Sequence, residues 1–216
     1  MRSVSRTLTV LLAVGLSAVL GGCSVIDPAP DGSTPASTAP TSASAAGAGL
    51  SFAAGAELDA ALRPQWSDPF VADKAFTVSS PDDGKGSWSY VDTRTQCIVG
   101  FWQGTLTGLA PATDDSALSD ELLALRFKAS AADVAKYADE RISFSSLDRG
   151  AVAARSVAGA DSASGQTYIV AARAFAVPGA GLVASLDCPA KVDVYQQWKA
   201  LAADPGAFTA VIGMPG

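Results

Sequence analysis

Gln166-Thr-Tyr-Ile-Val-Ala-Ala-Arg-Ala-Phe-Ala-Val177, Pro178-Gly-Ala-Gly181 and Leu182-Val-Ala-Ser-Leu-Asp-Cys188 decide the fold class of this chain. The first run is a long β candidate. Proline and two glycines in four residues then mark a reversal. The second run returns, and Pro189 stops it. Upstream, Ala151 to Val157 begins another β region, and Gly159 to Gly165 is turn-like. Together these predict a three-stranded antiparallel meander.

An earlier β region has the same character. Phe76-Thr-Val78 reads as a strand stopped by Pro81-Asp-Asp-Gly84-Lys-Gly86. Ser87 to Val91 alternates, with Trp88 and Tyr90 on one face. After Asp92-Thr-Arg-Thr95, a connection suited to a hairpin, Gln96 to Leu106 is a strong strand. Its alternation points Cys97, Val99 and Phe101 one way and Ile98, Gly100 and Trp102 the other.

Helical patterns fill the gaps. Ala54 to Leu62 is a short helix candidate with Pro64 just past its end. Asp115 or Ser116 caps a helix carrying Leu118, Leu122 and Leu125 on one stripe. Ser130-Ala-Ala-Asp133 has the form of a capping box opening a second helix through Val134, Ala138 and Arg141/Ile142. Asp193 caps a last helix with Val194, Trp198 and Leu201 on one face, stopped by Asp204-Pro205-Gly206. Phe208, Val211 and Ile212 then pin the tail to the domain. Strand runs separated by helices predict an α+β single domain: an antiparallel β-sheet packed with helices.

The N-terminus carries an address. Arg2 and Arg6 precede an uncharged run from Leu8 to Leu20, and Leu20-Gly21-Gly22-Cys23 follows. A basic start, a short apolar stretch and small residues before a cleavage point make a secretory signal. The run is shorter than the roughly 20 residues a membrane-spanning helix needs. With cysteine at the cleavage point, the stretch resembles the lipobox of bacterial lipoproteins, although Gly21 is a less usual residue there. The resemblance implies that residues 1–22 are a signal peptide and that Cys23 is lipidated, palmitate included. It implies a protein tethered to the extracytoplasmic face of the cell membrane. Residues 23–50 hold Pro28, Pro30, Pro35 and Pro40 among Ser, Thr, Ala and Gly. Such a composition buries little, so this stretch reads as a disordered stalk, bare or O-glycosylated near Thr34, Thr38 and Thr41. Residues 51–216 are the globular domain, which is long enough for one core.

Element order and the cysteine pair give residues 70–203 a form that resembles the Mog1/PsbP-like sandwich of some actinobacterial lipoproteins. It also resembles the extracellular sensor domains of certain actinobacterial kinases. No motif of either family is matched, so no functional residue is carried over.

Composition excludes much chemistry. The chain has no histidine, which removes the commonest general base and metal ligand. Ser-His-Asp and Cys-His catalysis are therefore excluded. No Ser-x-x-Lys, Gly-x-Ser-x-Gly or Cys-x-x-Cys occurs. With Cys23 lipidated, Cys97 and Cys188 remain, and in an exported domain they read as one disulfide. Asp82-Asp83-Gly84 and Asp114-Asp115 lack the alternating ligands of a calcium loop, so no metal site is expected. Asp139-Glu140-Arg141 reads as a solvated helix face, with general acid work as the competing reading. The formal net charge of −6 makes nucleic acid a poor partner. No cofactor is implied.

Aromatic side chains are the remaining signal. Trp66, Trp88, Trp102, Trp198, Tyr90, Tyr168 and Phe101 serve either as core or as a binding face. For the second role, Trp88, Tyr90 and Trp102 are the candidate lining for a neutral amphipathic ligand or an envelope protein. Two functions follow as expectations. One is a membrane-anchored lipoprotein with a non-catalytic binding domain. The alternative is an envelope hydrolase that uses carboxylates without histidine.

Overall fold

The computed structural model describes residues 49–109, 114–203 and 206–213. In chain order they form α1 (Phe52–Gly55), β1 (Gln65–Trp66), β2 (Phe76–Ser80), β3 (Ser87–Asp92), β4 (Ile98–Thr105), α2 (Asp115–Phe127), α3 (Ala131–Val134), β5 (Ser143–Ser146), β6 (Gly150–Ala153), β7 (Arg155–Ala160), β8 (Thr167–Phe175), β9 (Ala180–Cys188), α4 (Val194–Ala203) and β10 (Thr209–Val211). The signal segment, Cys23 and most of the stalk lie outside the described residues. Leu50 is buried and bridges to Val152.

The architecture is α+β. Two meanders, β2-β3-β4 and β7-β8-β9, join through β4 and β9 into a six-stranded antiparallel sheet of order β2-β3-β4-β9-β8-β7. The Cys97–Cys188 disulfide closes one end of that seam, with Cα atoms 4.3 Å apart. One face of the sheet packs against a second sheet of order β1-β10-β5-β6 and against α4. In this main core Trp66 meets Phe101 and Phe144 edge-on, and Trp198 stacks on Phe208 at 4.1 Å. The other face receives α2 and α3 through Leu122, Leu123, Val134, Val170, Ala172 and Val183.

This layering explains the sequence of the deciding stretch. Nearly every residue on both faces of β8 and β9 is buried. Such strands read as continuous apolar runs rather than as alternation. β3, by contrast, is fully covered on one face only and keeps its alternation.

Arg173 is the exception inside β8. Its side chain is fully buried, and Nη2 donates to Asp115 Oδ2 at 2.8 Å and to the Ser51 carbonyl at 3.0 Å. The guanidinium lies 4.4 Å from the Phe52 ring centroid and 5.0 Å from that of Phe175. Asp115 also accepts from the Ala176 amide, and Ser119 Oγ accepts from the Ala174 amide. Burial pushes the Asp115 carboxyl up and pulls Arg173 down to about 10. The network joins α1, α2 and β8, and it leaves no room at Gly55, where an added Cβ would overlap Asp115 Oδ2.

Several local expectations are corrected. The single sheet expected from the strand runs is two sheets, because β1, β5 and β10 are short and carry too few residues to show a period. β10 runs parallel to β5. The helix expected over Ala54–Leu62 is only α1, preceding Leu58; Asp59 then accepts from the Ala61 amide and holds a turn. The second helix from Ser130 stops at Val134, although Ser130 caps it by accepting from the Asp133 amide. Asp139 ends the pattern. Its carboxylate takes the Arg141 amide and the Ser156 hydroxyl, while its backbone bridges to Ser156. Aspartate competes with helical hydrogen bonding in this way. Asp139-Glu140-Arg141 therefore lies in a connection and is not a helix face.

Candidate functional site

α2 is one helix laid across a sheet six strands wide, and it packs on β8 and β7. The neighbouring strip of β3, β4 and β9 on that face lies beside the helix and not under it, and a groove of about 530 Å³ runs there. That volume lies in the range of small-molecule sites.

Strand register assembles the floor. Ser89, Gly100 and Ser185 are cross-strand neighbours, as are Ser87, Trp102 and Val183. A Cβ at position 100 would come within 2.6 Å of Ser185 Oγ, so glycine keeps the middle of the floor low. Trp102 forms the apolar end. Its indole lies across Gly104 and Gly181, where added Cβ atoms would stand 2.8 and 3.1 Å from the ring. Ile98 and Asp187, paired across β4 and β9, form the other end. Leu122, Leu125 and Arg126 of α2 make the wall. Leu125, expected in the buried stripe of α2, is 61% exposed and borders the groove, while Leu123 is fully buried.

Two carboxylates border the groove and sit in opposite environments. Burial pushes the Asp187 carboxyl up, against the nearby charge of Arg126. Asp83 accepts the Ser87 and Lys85 amides, and these bonds hold its carboxyl below the usual range. Among the described residues no group of three or more Cys, Asp and Glu side chains is placed to hold a metal.

The aromatic candidates do not share one surface. Trp102 faces the groove side of the sheet. Trp88 borders the groove, but its ring stacks on Phe101 at 5.5 Å and packs with the main core. Its indole N–H is buried without a partner among the described residues. Tyr90 is buried in the same core, and its hydroxyl donates to Asp68 Oδ2 at 2.6 Å. Desolvation, then the Asp68 bond, raises the Tyr90 phenol above its usual range. The alternation read from the sequence already put Trp88 and Tyr90 together and Trp102 on its own strand's other face. Cys23 lies outside the described residues.

Ser185, Asp187 and Arg126 were not singled out from sequence. Asp187 did carry a signal: it is the only charged residue in the run Leu182–Cys188. None of the family models, curated proteins or solved structures compared with this chain matches it.

Proposed function

We propose that the protein is a lipoprotein tethered through Cys23 to the extracytoplasmic face of the cell membrane, and that its domain binds a small amphipathic ligand without catalysing a reaction. The supporting observation is the half-covered sheet face: a groove of about 530 Å³ with Trp102, Leu122, Leu125 and Ile98 beside Ser185, Asp187 and Arg126. Apolar walls with a few polar groups are the usual make-up of such sites. The tether rests on the Leu20-Gly21-Gly22-Cys23 stretch. Two or more acyl chains hold a protein stably at a membrane, so the acidic chain needs no help from anionic lipid.

Cys23→Ala is expected to abolish fatty-acid labelling and detergent-phase partitioning in the expressing cell. Labelling equal to wild type overturns the tether. For the groove, Leu125→Glu tests a side chain that is already 61% exposed, so stability should move by no more than about 0.5 kcal/mol. Binding of the apolar fluorophore N-phenyl-1-naphthylamine, followed by its emission, should weaken about tenfold, the worth of a lost apolar contact. Unchanged binding places the ligand elsewhere.

A second reading, hydrolysis by carboxylates alone, draws on Asp83 and Asp187. They border one groove from opposite ends, Asp83 beside Ser87 and Asp187 across from Ile98, so a substrate spanning the groove is what this reading requires. The two readings part on the fate of the ligand: binding returns it intact, and hydrolysis cleaves it.

A further inference from the structure

Along its strands the groove runs from a half-buried carboxylate, Asp187, to an indole, Trp102. Asp187 and Ile98 face each other across β4 and β9, and Trp102 and Val183 do so four residues along. At the rise of a strand these ends are about 13 Å apart. Gly100 and Ser185 lie between them and keep the floor open. A ligand lying in this groove is therefore read at one end by a head group and at the other by apolar contact.

Asp187, half-buried, differs from the fully buried aspartates among the described residues. Asp92 pairs with Arg94, Asp115 with Arg173 and Asp120 with Arg155. Asp187 has no ion pair within 4 Å among the described residues, and only burial and the more distant charge of Arg126 act on it. A half-buried carboxylate without donors is costly, and a ligand that brings donors relieves that cost. Arg126 and Asp83 also border the groove, but both are exposed. Their charges are screened by solvent, whereas that of Asp187 is screened much less. Asp83 is bonded to Ser87, the cross-strand neighbour of Trp102, so it stands at the far end of the groove. The Asp187 end thus presents one half-buried carboxylate and the exposed Arg126, with the less screened charge negative.

We propose that Asp187 is the head-group receptor of this groove and takes the protonated amine of a small cationic amphiphile, whose apolar body runs over Gly100 and Ser185 to Trp102. This rests on the binding reading above, and it replaces the neutral ligand expected from sequence with a cationic one. The donors that Asp187 lacks come from the ammonium, as a charge-assisted hydrogen bond.

Three probes share an eight-carbon tail and differ only in the head: octylammonium, octanol and octanoate. Each is titrated by calorimetry at pH 7 into the full chain carrying Cys23→Ala. Octylammonium should bind about tenfold or more tighter than octanol, and octanoate more weakly still. Asp187→Asn keeps the side-chain shape and should bring octylammonium down to the level at which the same variant binds octanol. Octanoate binding as tightly as octylammonium overturns the head-group assignment and leaves the groove reading standing, and so does equal binding of octylammonium to wild type and Asp187→Asn. Failure of all three probes to bind overturns the groove reading, and this proposal with it. The wild-type comparison alone decides between heads, so the outcome does not depend on the variant folding.

Discussion

Asp115→Ala is expected to cost about 3–5 kcal/mol of folding stability, the range for breaking a buried ion pair from one side. The alanine leaves Arg173 fully buried with no carboxylate, between the rings of Phe52 and Phe175. Its Nε is already without a partner among the described residues, so the pair with Asp115 is its main compensation. The Ala176 amide loses its acceptor as well. Urea denaturation followed by far-UV circular dichroism measures the loss as a lowered midpoint at constant slope. The double variant Asp115→Leu with Arg173→Met should recover much of it, because a buried pair replaced by apolar groups of similar volume is often neutral or better. A loss below about 1 kcal/mol for Asp115→Ala means that water reaches the guanidinium in the folded protein and that Arg173 does not depend on the pair.

Removing the Cys97–Cys188 bond is expected to cost a similar amount. The two cysteines are 91 residues apart, and the chain-entropy model assigns such a loop about 4–5 kcal/mol. The bond joins adjacent central strands, at the start of β4 and the end of β9, so it holds the two meanders together where they meet. Both sulfurs are buried, which keeps reductant from the folded protein. The clean comparison is therefore Cys97→Ala with Cys188→Ala, since serine would bury two hydroxyls. Thermal and urea midpoints should fall together, and the intact mass of the denatured protein with and without reductant should differ by two hydrogen atoms in the wild type alone. Equal midpoints for the double variant and the wild type mean that the open chain is already restrained by residual structure.

Much of the fold was legible in the sequence, and for definite reasons. The strand Ile98–Thr105 was readable because one of its faces is core and the other is not, so burial follows the alternation. The reversal at Pro178–Gly181 was readable because proline and glycine act on the backbone locally, and Gly179 indeed has φ of 63°. Asp193 was readable as a cap because its carboxylate needs only the Tyr195 and Gln196 amides that follow it. The second sheet was not legible. Gln65–Trp66 and Thr209–Val211 are strands only because they find each other and β5 across the chain.

The groove shows the same division. Local pattern determined that Ile98, Gly100 and Trp102 share a side, that Leu118 and Leu122 face inward, and that Cys97 and Cys188 sit on strands. These follow from a period of two along a strand and of 3.6 along a helix, which any segment carries by itself. Only tertiary structure decided that α2 lies over β7 and β8, beside the β3–β4–β9 groove, with Leu125 turned to the groove and Asp187 without an ion pair among the described residues. One helix is too narrow to cover six strands, and where it lands is set by long-range packing of Leu122, Leu123 and Val134 on Val170, Ala172 and Val183 and by the buried Asp115–Arg173 pair.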